Sequence, residues 1–246
     1  SNFGAANVGA YTVTVTAANG CTATATTSAA VGGNITVTAS NSSPACVGGS
    51  FNLTATASGS GNLVTNGNFT SGNTGFSSGY TFANTRSNAG QYGVVTNPSS
   101  WYNFFSNCTG YGGSGNMLVA DGSATAGLRV WYQTISVTPN TTYQLSAYAQ
   151  NVYNGVSPRL FFSVNGVQVG NEYNLGTTPC VWIPMSVTFN SGSATSVVIA
   201  IANNETAGTS GNNFALDNIS CQAVLTYAWS GPNAYTSSAQ SPTVSN

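Results

Sequence analysis

The feature that most constrains the fold of this chain is the strict alternation of apolar and polar residues along short segments. Tyr11–Thr16, Phe51–Thr56 and Leu225–Ser230 each place an apolar side chain at every second position. Successive side chains of a β-strand point to opposite faces, so each segment is predicted to be a half-buried strand. Further segments with strand patterning are Met117–Ala120, Leu128–Val137, Thr142–Asn151, Arg159–Val164, Val181–Phe189, Ser196–Ala202 and Phe214–Ser220. Gly, Asn, Ser and Pro clusters separate them and helical periodicity is almost absent, which predicts an all-β protein of antiparallel sandwiches.

Charged side chains are almost missing from the 246 residues. A cytosolic domain usually gives roughly a quarter of its residues to Asp, Glu, Lys and Arg. The charged residues of this chain are Arg86, Asp121, Arg129, Arg159, Glu172, Glu205 and Asp217. A surface of hydroxyl and amide groups hydrates well but repels weakly, so neighbouring copies can pack closely. The composition predicts a building block of an extracellular structure at the cell surface.

The shortage of charge also excludes two classes of partner. Nucleic acid binding needs clustered Lys and Arg to displace counterions from phosphates, whereas the net charge here is −1. No apolar run approaches the roughly 20 residues that span a bilayer. We therefore expect no nucleic acid partner and no membrane insertion of this segment.

Catalysis is not expected, because titratable side chains are so few. General acid–base chemistry usually needs His, Glu, Asp or Lys, and a glycosidase needs two carboxylates across the scissile bond. The four acidic residues are scattered along the chain, and a serine nucleophile would have no histidine base. We therefore expect a protein that is not an enzyme and has no catalytic residues.

The cysteines indicate disulfides rather than a metal site. There are five, far apart, with no CxxC pair and no histidine to complete a zinc site. In an extracellular protein they predict disulfides, and the odd number requires one free thiol or one bond to another chain. The alternative is that they are buried free thiols. Their positions are Cys21, Cys46, Cys108, Cys180 and Cys221.

Composition and strand length divide the chain into an inner and an outer part. Residues 62–221 have longer strands and most of the aromatic residues, while residues 1–61 and 222–246 are rich in Thr and Ala. Joined end to start, the outer pieces form one continuous sandwich pattern. Residues 1–30 would supply its last strands, residues 31–61 its first strands and residues 222–246 its middle strands.

The outer pieces resemble the immunoglobulin-like repeats of Bacteroidetes cell-surface adhesins, including gliding-motility adhesins. The resemblance rests on Cys46–Ala57, Tyr227–Asn233 and Gly9–Cys21, which recur in that order in the repeats but are rotated here. It implies an immunoglobulin-like β-sandwich that is split across the chain ends. It also implies a bacterial cell-surface location.

A sandwich that lacks its last strands exposes an open sheet edge, which favours pairing with another chain. Residues 1–30 of one copy could fill the gap left by residues 31–61 and 222–246 of the preceding copy. Such head-to-tail strand addition generates an open fibre. We therefore expect a structural repeat unit of an extracellular fibre or adhesin whose partner is a copy of itself. The alternative arrangement is a covalent tandem repeat, and the sequence does not decide between them.

The inner part, residues 62–221, resembles the carbohydrate-binding-module-like jelly rolls found inserted in such adhesins. The matching motifs are Asn66–Phe69, Gly115–Met117, Trp131–Thr134, Thr138–Tyr143 and Asn213–Ser220. Related jelly rolls often hold a structural calcium at the closing motif, which implies Asp217 as a ligand; no other cofactor is expected. Thr70 stands where the family usually has a second acid, and the alternative is that Asp217 only caps or hydrogen-bonds a loop.

The two resemblances also suggest disulfides. A bond from Cys46 to Cys21 of the neighbouring unit would clamp the junction between copies. Cys108 and Cys180 are a candidate pair within the jelly roll, which leaves Cys221 over. Five cysteines do not fix this connectivity.

A carbohydrate-binding surface protein is the alternative function, with the immunoglobulin-like repeats as spacers. Sugars stack on aromatic faces while amides and hydroxyls contact their edges. The aromatic residues predicted to bind polysaccharide in this way are Trp101, Tyr102, Tyr111 and Tyr153. The competing interpretation is that these rings belong to the core or to contacts between copies.

Overall fold

The computed structural model describes residues 9–16, 22–29, 36–42, 50–58, 61–204, 212–231 and 234–245. The chain divides into two compact units, one of Ser1–Gly61 with Val224–Asn246 and one of Asn62–Ala223. The regular elements described in both units are almost all strands, so the protein is all-β. Among the described residues, no helix has the length and hydropathy that crossing a membrane requires.

Four described strands of the smaller unit come from the start of the chain and three from its end, on either side of the larger unit in the sequence. Its strands are β1 Gly9–Thr16, β2 Thr22–Ala29, β3 Thr36–Asn41, β4 Ser50–Ser58, β15 Trp229–Ser230, β16 Thr236–Ser237 and β17 Thr243–Ser245. The larger unit contains β5 Thr81–Phe82, β6 Gln91–Val95, α1 Pro98–Trp101, β7 Met117–Asp121, β8 Arg129–Ser136, β9 Thr142–Asn151, β10 Arg159–Val164, β11 Val167–Asn174, β12 Ile183–Asn190, β13 Ser196–Asn203 and β14 Phe214–Ala223.

The larger unit is a sandwich of two sheets. One sheet has the strand order β11-β10-β13-β8 and the other β12-β9-β14-β7-β6-β5. Their pairings are antiparallel except between β5 and β6. Fully buried side chains from both sheets form one core, namely Leu118, Leu145, Leu160, Phe162, Ile199, Ile201, Phe214 and Leu216. The alternation seen in the sequence thus places one face of each sheet in a shared core.

A second, smaller core lies on the other face of the six-stranded sheet, over β6 and β7. There α1 and the segment after it pack Trp101, Phe105 and Cys108 against Met117 and Val119. Gly93 makes this packing possible, because a Cβ at that position would lie only 2.6 Å from Nε1 of Trp101.

The disulfide predicted within the jelly roll, Cys108–Cys180, is present and links residues 72 positions apart. In the chain-entropy model, a link of that span stabilises the fold by about 4 kcal/mol. Cys221 is a buried free thiol, and burial raises its pKa to about 12. A thiol that stays protonated is a poor nucleophile, so Cys221 is chemically inert. The predicted bond between Cys46 and Cys21 of a neighbouring unit lies outside the described residues.

The smaller unit has the sheets β1-β2-β15-β16 and β17-β4-β3. Each sheet joins strands from both ends of the chain, since β15 pairs with β2 and β17 pairs with β4. Leu53, Ala55 and Trp229 are buried, and the Trp229 indole donates to the carbonyl oxygen of Ala239 at 2.7 Å. The N-terminal strands, predicted to complete a preceding copy, are therefore paired with their own chain here.

Candidate functional site

Over β12, β9 and β14, the outer face of the six-stranded sheet is lined by a row of polar residues. The strand register places Ser146 opposite Ser186 on one side and Ser220 on the other. Gln144 lies in the same way between Thr188 and Gln222. We call these six residues the polar face, namely Gln144, Ser146, Ser186, Thr188, Ser220 and Gln222. The alternate residues of the same strands point into the core.

The polar face offers neutral hydrogen-bonding groups. The hydroxyls of Ser146 and Ser220 are 2.7 Å apart, and the amide nitrogen of Gln144 donates to Oγ of Ser186 at 3.1 Å. Gln144, Thr188 and Gln222 are exposed. Amides and hydroxyls can both donate and accept, so this face suits a ligand rich in hydroxyl groups.

Three aromatic side chains stand at one end of the polar face, and we call them the aromatic ledge: Tyr111, Tyr148 and Trp182. Tyr148 is the next outward residue after Ser146 on β9. Tyr111 stacks on it with ring centroids 3.6 Å apart, and Trp182 meets Tyr111 edge-on at 6.0 Å and 89°. Tyr111 is 37% exposed. A hydrogen bond with Tyr148 raises the pKa of Tyr111, which keeps its hydroxyl neutral.

The other three aromatic residues predicted from the sequence lie elsewhere. Trp101 is only 2% exposed, and its indole donates to the carbonyl oxygen of Ala83 at 2.8 Å. A ring without a free face cannot stack on a sugar, so Trp101 is not a candidate for binding polysaccharide. Tyr102 and Tyr153 are half-buried against the same second core as Trp101.

Sequence reasoning missed Tyr148 and Trp182. A signal for Tyr148 was available, because it follows Gln144 and Ser146 in the polar register of β9 and must therefore face outward. No comparable pattern marks Trp182, which immediately precedes β12. Its place in the ledge depends on the loop geometry.

Asp217 holds the loop that carries Tyr111. Its side chain is buried, and its two carboxylate oxygens accept from the backbone N–H groups of Tyr111 at 2.9 Å and Asn218 at 2.7 Å. Calcium requires six to eight oxygen ligands, several from carboxylates. The described residues contain no group of three or more His, Cys, Asp or Glu that could hold a metal. These contacts fit the hydrogen-bonding role, and the predicted role of Asp217 as a calcium ligand stays a prediction.

Two substitutions at Asp217 should separate these roles. Burial raises the pKa of Asp217, so ionisation costs more in the folded than in the unfolded chain, and stability falls as the pH rises through the folded pKa. Asp217→Asn removes the charge but keeps only one of the two acceptor oxygens, so it should be less destabilising than Asp217→Ala near about pH 7, and it should gain stability relative to the wild type as the pH rises from acid. Asp217→Ala leaves N–H groups unpaired and should lose about 1–3 kcal/mol.

Urea unfolding at several pH values measures these differences. If Asp217→Asn proved as destabilising as Asp217→Ala, and calcium raised the melting temperature of the wild type alone, the carboxylate would have a metal-binding role.

The other described charges have partners outside the polar face. Arg86 forms an ion pair with Asp121, and Arg159 lies 3.3 Å from Glu172. The guanidinium carbon of Arg129 lies 4.2 Å from the ring centroid of Tyr132. The three described carboxylates are thus held by three different sets of partners. None of the six residues of the polar face is charged.

No protein-family model and no curated protein matches this chain. Among solved structures, it is similar to the sugar-binding C-terminal domain of EclA, with 14% identity and a TM-score of 0.35 over 38% of this chain and 66% of that one. The chain thus spans just under two thirds of that structure.

Two further solved structures are carbohydrate-binding modules. The CBM22-1 xylan-binding domain of Paenibacillus barcinonensis Xyn10C has 17% identity and a TM-score of 0.43 over 64% of this chain and 91% of that domain. TmCBM61, solved with β-1,4-galactotriose, has 16% identity and a TM-score of 0.40 over 67% of this chain and 99% of that module. These values assign neither a family nor an activity to this chain, so the predicted kinship with adhesin repeats stays a prediction.

Proposed function

We propose that the polar face and the aromatic ledge bind a neutral polysaccharide. The observation that carries this proposal is the partly exposed ring of Tyr111, stacked on Tyr148 at the end of a row of uncharged amides and hydroxyls. A pyranose ring has an apolar face of C–H groups and an edge of hydroxyls. The ledge would take the apolar face, and the polar face would exchange hydrogen bonds with the hydroxyls.

The absence of charge on this surface defines the class of sugar. A uronic acid or sulfated sugar would find no cation among the six residues of the polar face. Desolvating such a group without a partner is unfavourable, whereas a neutral sugar exchanges one set of neutral hydrogen bonds for another. Binding should accordingly depend little on ionic strength.

Affinity electrophoresis of the full chain through gels that contain one polysaccharide each tests the proposal. The neutral probes are xylan, mixed-linkage glucan, galactan and mannan, and the acidic probes are polygalacturonate and alginate. We expect retardation by at least one neutral polymer, unchanged by added salt, and none by the acidic polymers. No retardation by any neutral polymer would overturn the proposal.

We place this protein outside the cell as a non-catalytic binding module. The disulfide supports an oxidising compartment. The cell surface, and the immunoglobulin-like unit as a spacer, are parts of the same proposal.

Assembly of copies into a fibre is a second candidate, supported by how the N-terminal hairpin is attached. β1 and β2 pair with each other along eight residue pairs, whereas two pairs among the described residues, Trp229 with Ala25 and Ser230 with Thr24, join β2 to β15. A hairpin whose described pairing with β15 is this short could pair with β15 of another copy instead, which repeated head-to-tail would give an open fibre.

Two variants that each add one cysteine test this exchange, because Thr24 and Ser230 lie directly opposite each other in the register. We expect Thr24→Cys and Ser230→Cys chains, once mixed and oxidised, to yield a peptide that links position 24 of one chain to position 230 of the other. The double variant is the control, since it can form the same link within one chain. A link that forms only in the double variant would show that the hairpin stays with its own chain.

A further inference from the structure

We infer that the Cys108–Cys180 disulfide positions the aromatic ledge, so that glycan binding depends on this bond. The inference deepens the proposed function and rests on it. Two of the three rings of the ledge, Tyr111 and Trp182, belong to segments outside any strand, residues 102–116 and 175–182. Tyr111 follows Cys108 by three residues and Trp182 follows Cys180 by two.

A shared contact ties the two segments together next to the disulfide. The carbonyl oxygen of Thr109, the residue after Cys108, accepts from the Trp182 indole at 3.3 Å and from the amide of Gln150 at 3.3 Å. Both bonds are longer than the usual range for N–H···O hydrogen bonds, so they hold the rings weakly by themselves. The oxygen of the same Gln150 amide is buried without a partner in the described structure, so hydrogen bonding beneath this segment is incomplete.

Other contacts anchor Tyr111, through Asp217 and Tyr148, and the bases of the two segments, but not the Trp182 ring. The backbone N–H of Ser106 donates to the carbonyl oxygen of Val152 at 2.8 Å, and the backbone N–H of Cys180 donates to the carbonyl oxygen of Asn151 at 3.0 Å. These bonds attach both segments to the end of β9 and would remain after the disulfide was broken. We therefore expect its loss to free Trp182 relative to Tyr111 while the sheets stay intact.

The bond is open to chemical reduction from one side, because Cys180 is exposed although Cys108 is buried. A dithiol reagent would attack one sulfur to form a mixed disulfide and release the other cysteine as a thiol. The second thiol of the reagent would then attack the mixed disulfide and release the remaining cysteine. The products are thiols at Cys108 and Cys180 and the cyclic disulfide of the reagent. Two electrons and two protons pass from the reagent to the protein.

Tryptophan fluorescence gives a readout that needs no ligand. Trp101, Trp131 and Trp229 are buried, whereas Trp182 is half-buried, so acrylamide quenching reports mainly on Trp182. On reduction of the full chain with dithiothreitol, we expect stronger quenching, unchanged far-ultraviolet circular dichroism and about a tenfold loss of affinity for the neutral polysaccharide that binds. This loss reflects the ordering of two side chains that the bond otherwise pre-organises.

The double variant Cys108→Ser/Cys180→Ser should behave like the reduced protein and should not respond to dithiothreitol. Any response it did show would come from the other cysteines. Leu160→Ala, in the core of the opposite sheet, controls for lost stability: its melting temperature should fall while its affinity stays unchanged.

The inference is overturned if the protein with free thiols at positions 108 and 180 binds within twofold of the oxidised protein, and equally if Trp182 quenching does not change. If the oxidised wild type binds none of the neutral polymers, the proposed function fails and the dependence of binding on the disulfide fails with it. Binding by the oxidised protein together with equal binding by the reduced protein overturns the inference alone.

Discussion

Replacing Tyr111 with alanine should reduce polysaccharide affinity by about thirtyfold, which corresponds to the roughly 2 kcal/mol typical of an aromatic hot spot. Its ring supplies the exposed surface of the ledge and lies over Tyr148. Trp182→Ala should have a similar effect, because Trp182 packs edge-on against Tyr111. Isothermal titration with a soluble oligomer of the polymer that binds measures both.

Two control variants make this prediction specific. Tyr111→Phe keeps the stacked ring and should retain affinity within about fivefold, since only a neutral hydroxyl is lost. Phe104→Ala removes a ring that is 67% exposed but belongs to the segment over the second core, so it should not change affinity. If Phe104→Ala weakened binding while Tyr111→Ala did not, the binding surface would be the one formed by Tyr102 and Phe104.

Phe162→Ala should lower the free energy of unfolding of the larger unit by about 3–5 kcal/mol, because it leaves a cavity that the surrounding side chains fill only partly. Phe162 is fully buried on β10, and Tyr173 contacts its ring edge-on at 5.9 Å. The same change at the exposed Phe104 should alter stability by no more than about 0.5 kcal/mol. Guanidinium unfolding followed by far-ultraviolet circular dichroism compares them.

Equal effects of these two substitutions would contradict the sandwich described above, because they would mean that β10 does not contribute its Phe162 face to a shared core. A loss at Phe162 with an unchanged denaturant slope is the expected signature of a local cavity.

The alternation in the sequence located the strands well where one face is apolar. Thr142–Asn151 and Arg159–Val164 were predicted as strands and coincide with β9 and β10. β11 was missed, because its residues are mostly exposed and polar residues on both faces interrupt the alternation of apolar and polar positions. The Val181–Phe189 segment begins two residues before β12. The second of these residues is Trp182, which lies in the aromatic ledge and not in the strand.

The candidate site was harder to predict because it depends on long-range pairing. Ser146 on β9 meets Ser186 and Ser220, which are far away in the sequence and become neighbours only when β12 and β14 flank β9. The burial of Trp101 depends in the same way on its approach to Gly93. Composition did indicate one property of the site, since a chain with so few charged residues tends to present a neutral surface.

The central claim is that the polar face and the aromatic ledge bind a neutral polysaccharide. The most direct test is an NMR titration of the ¹⁵N-labelled full chain with a soluble oligomer of that polymer. We predict that the largest shifts occur at the backbone amides of Ser146, Tyr148, Trp182 and Gln222 and at the indole N–H of Trp182. Shifts confined to β8, β10 and β13, or to the segment around Phe104, with none on β9, would contradict it.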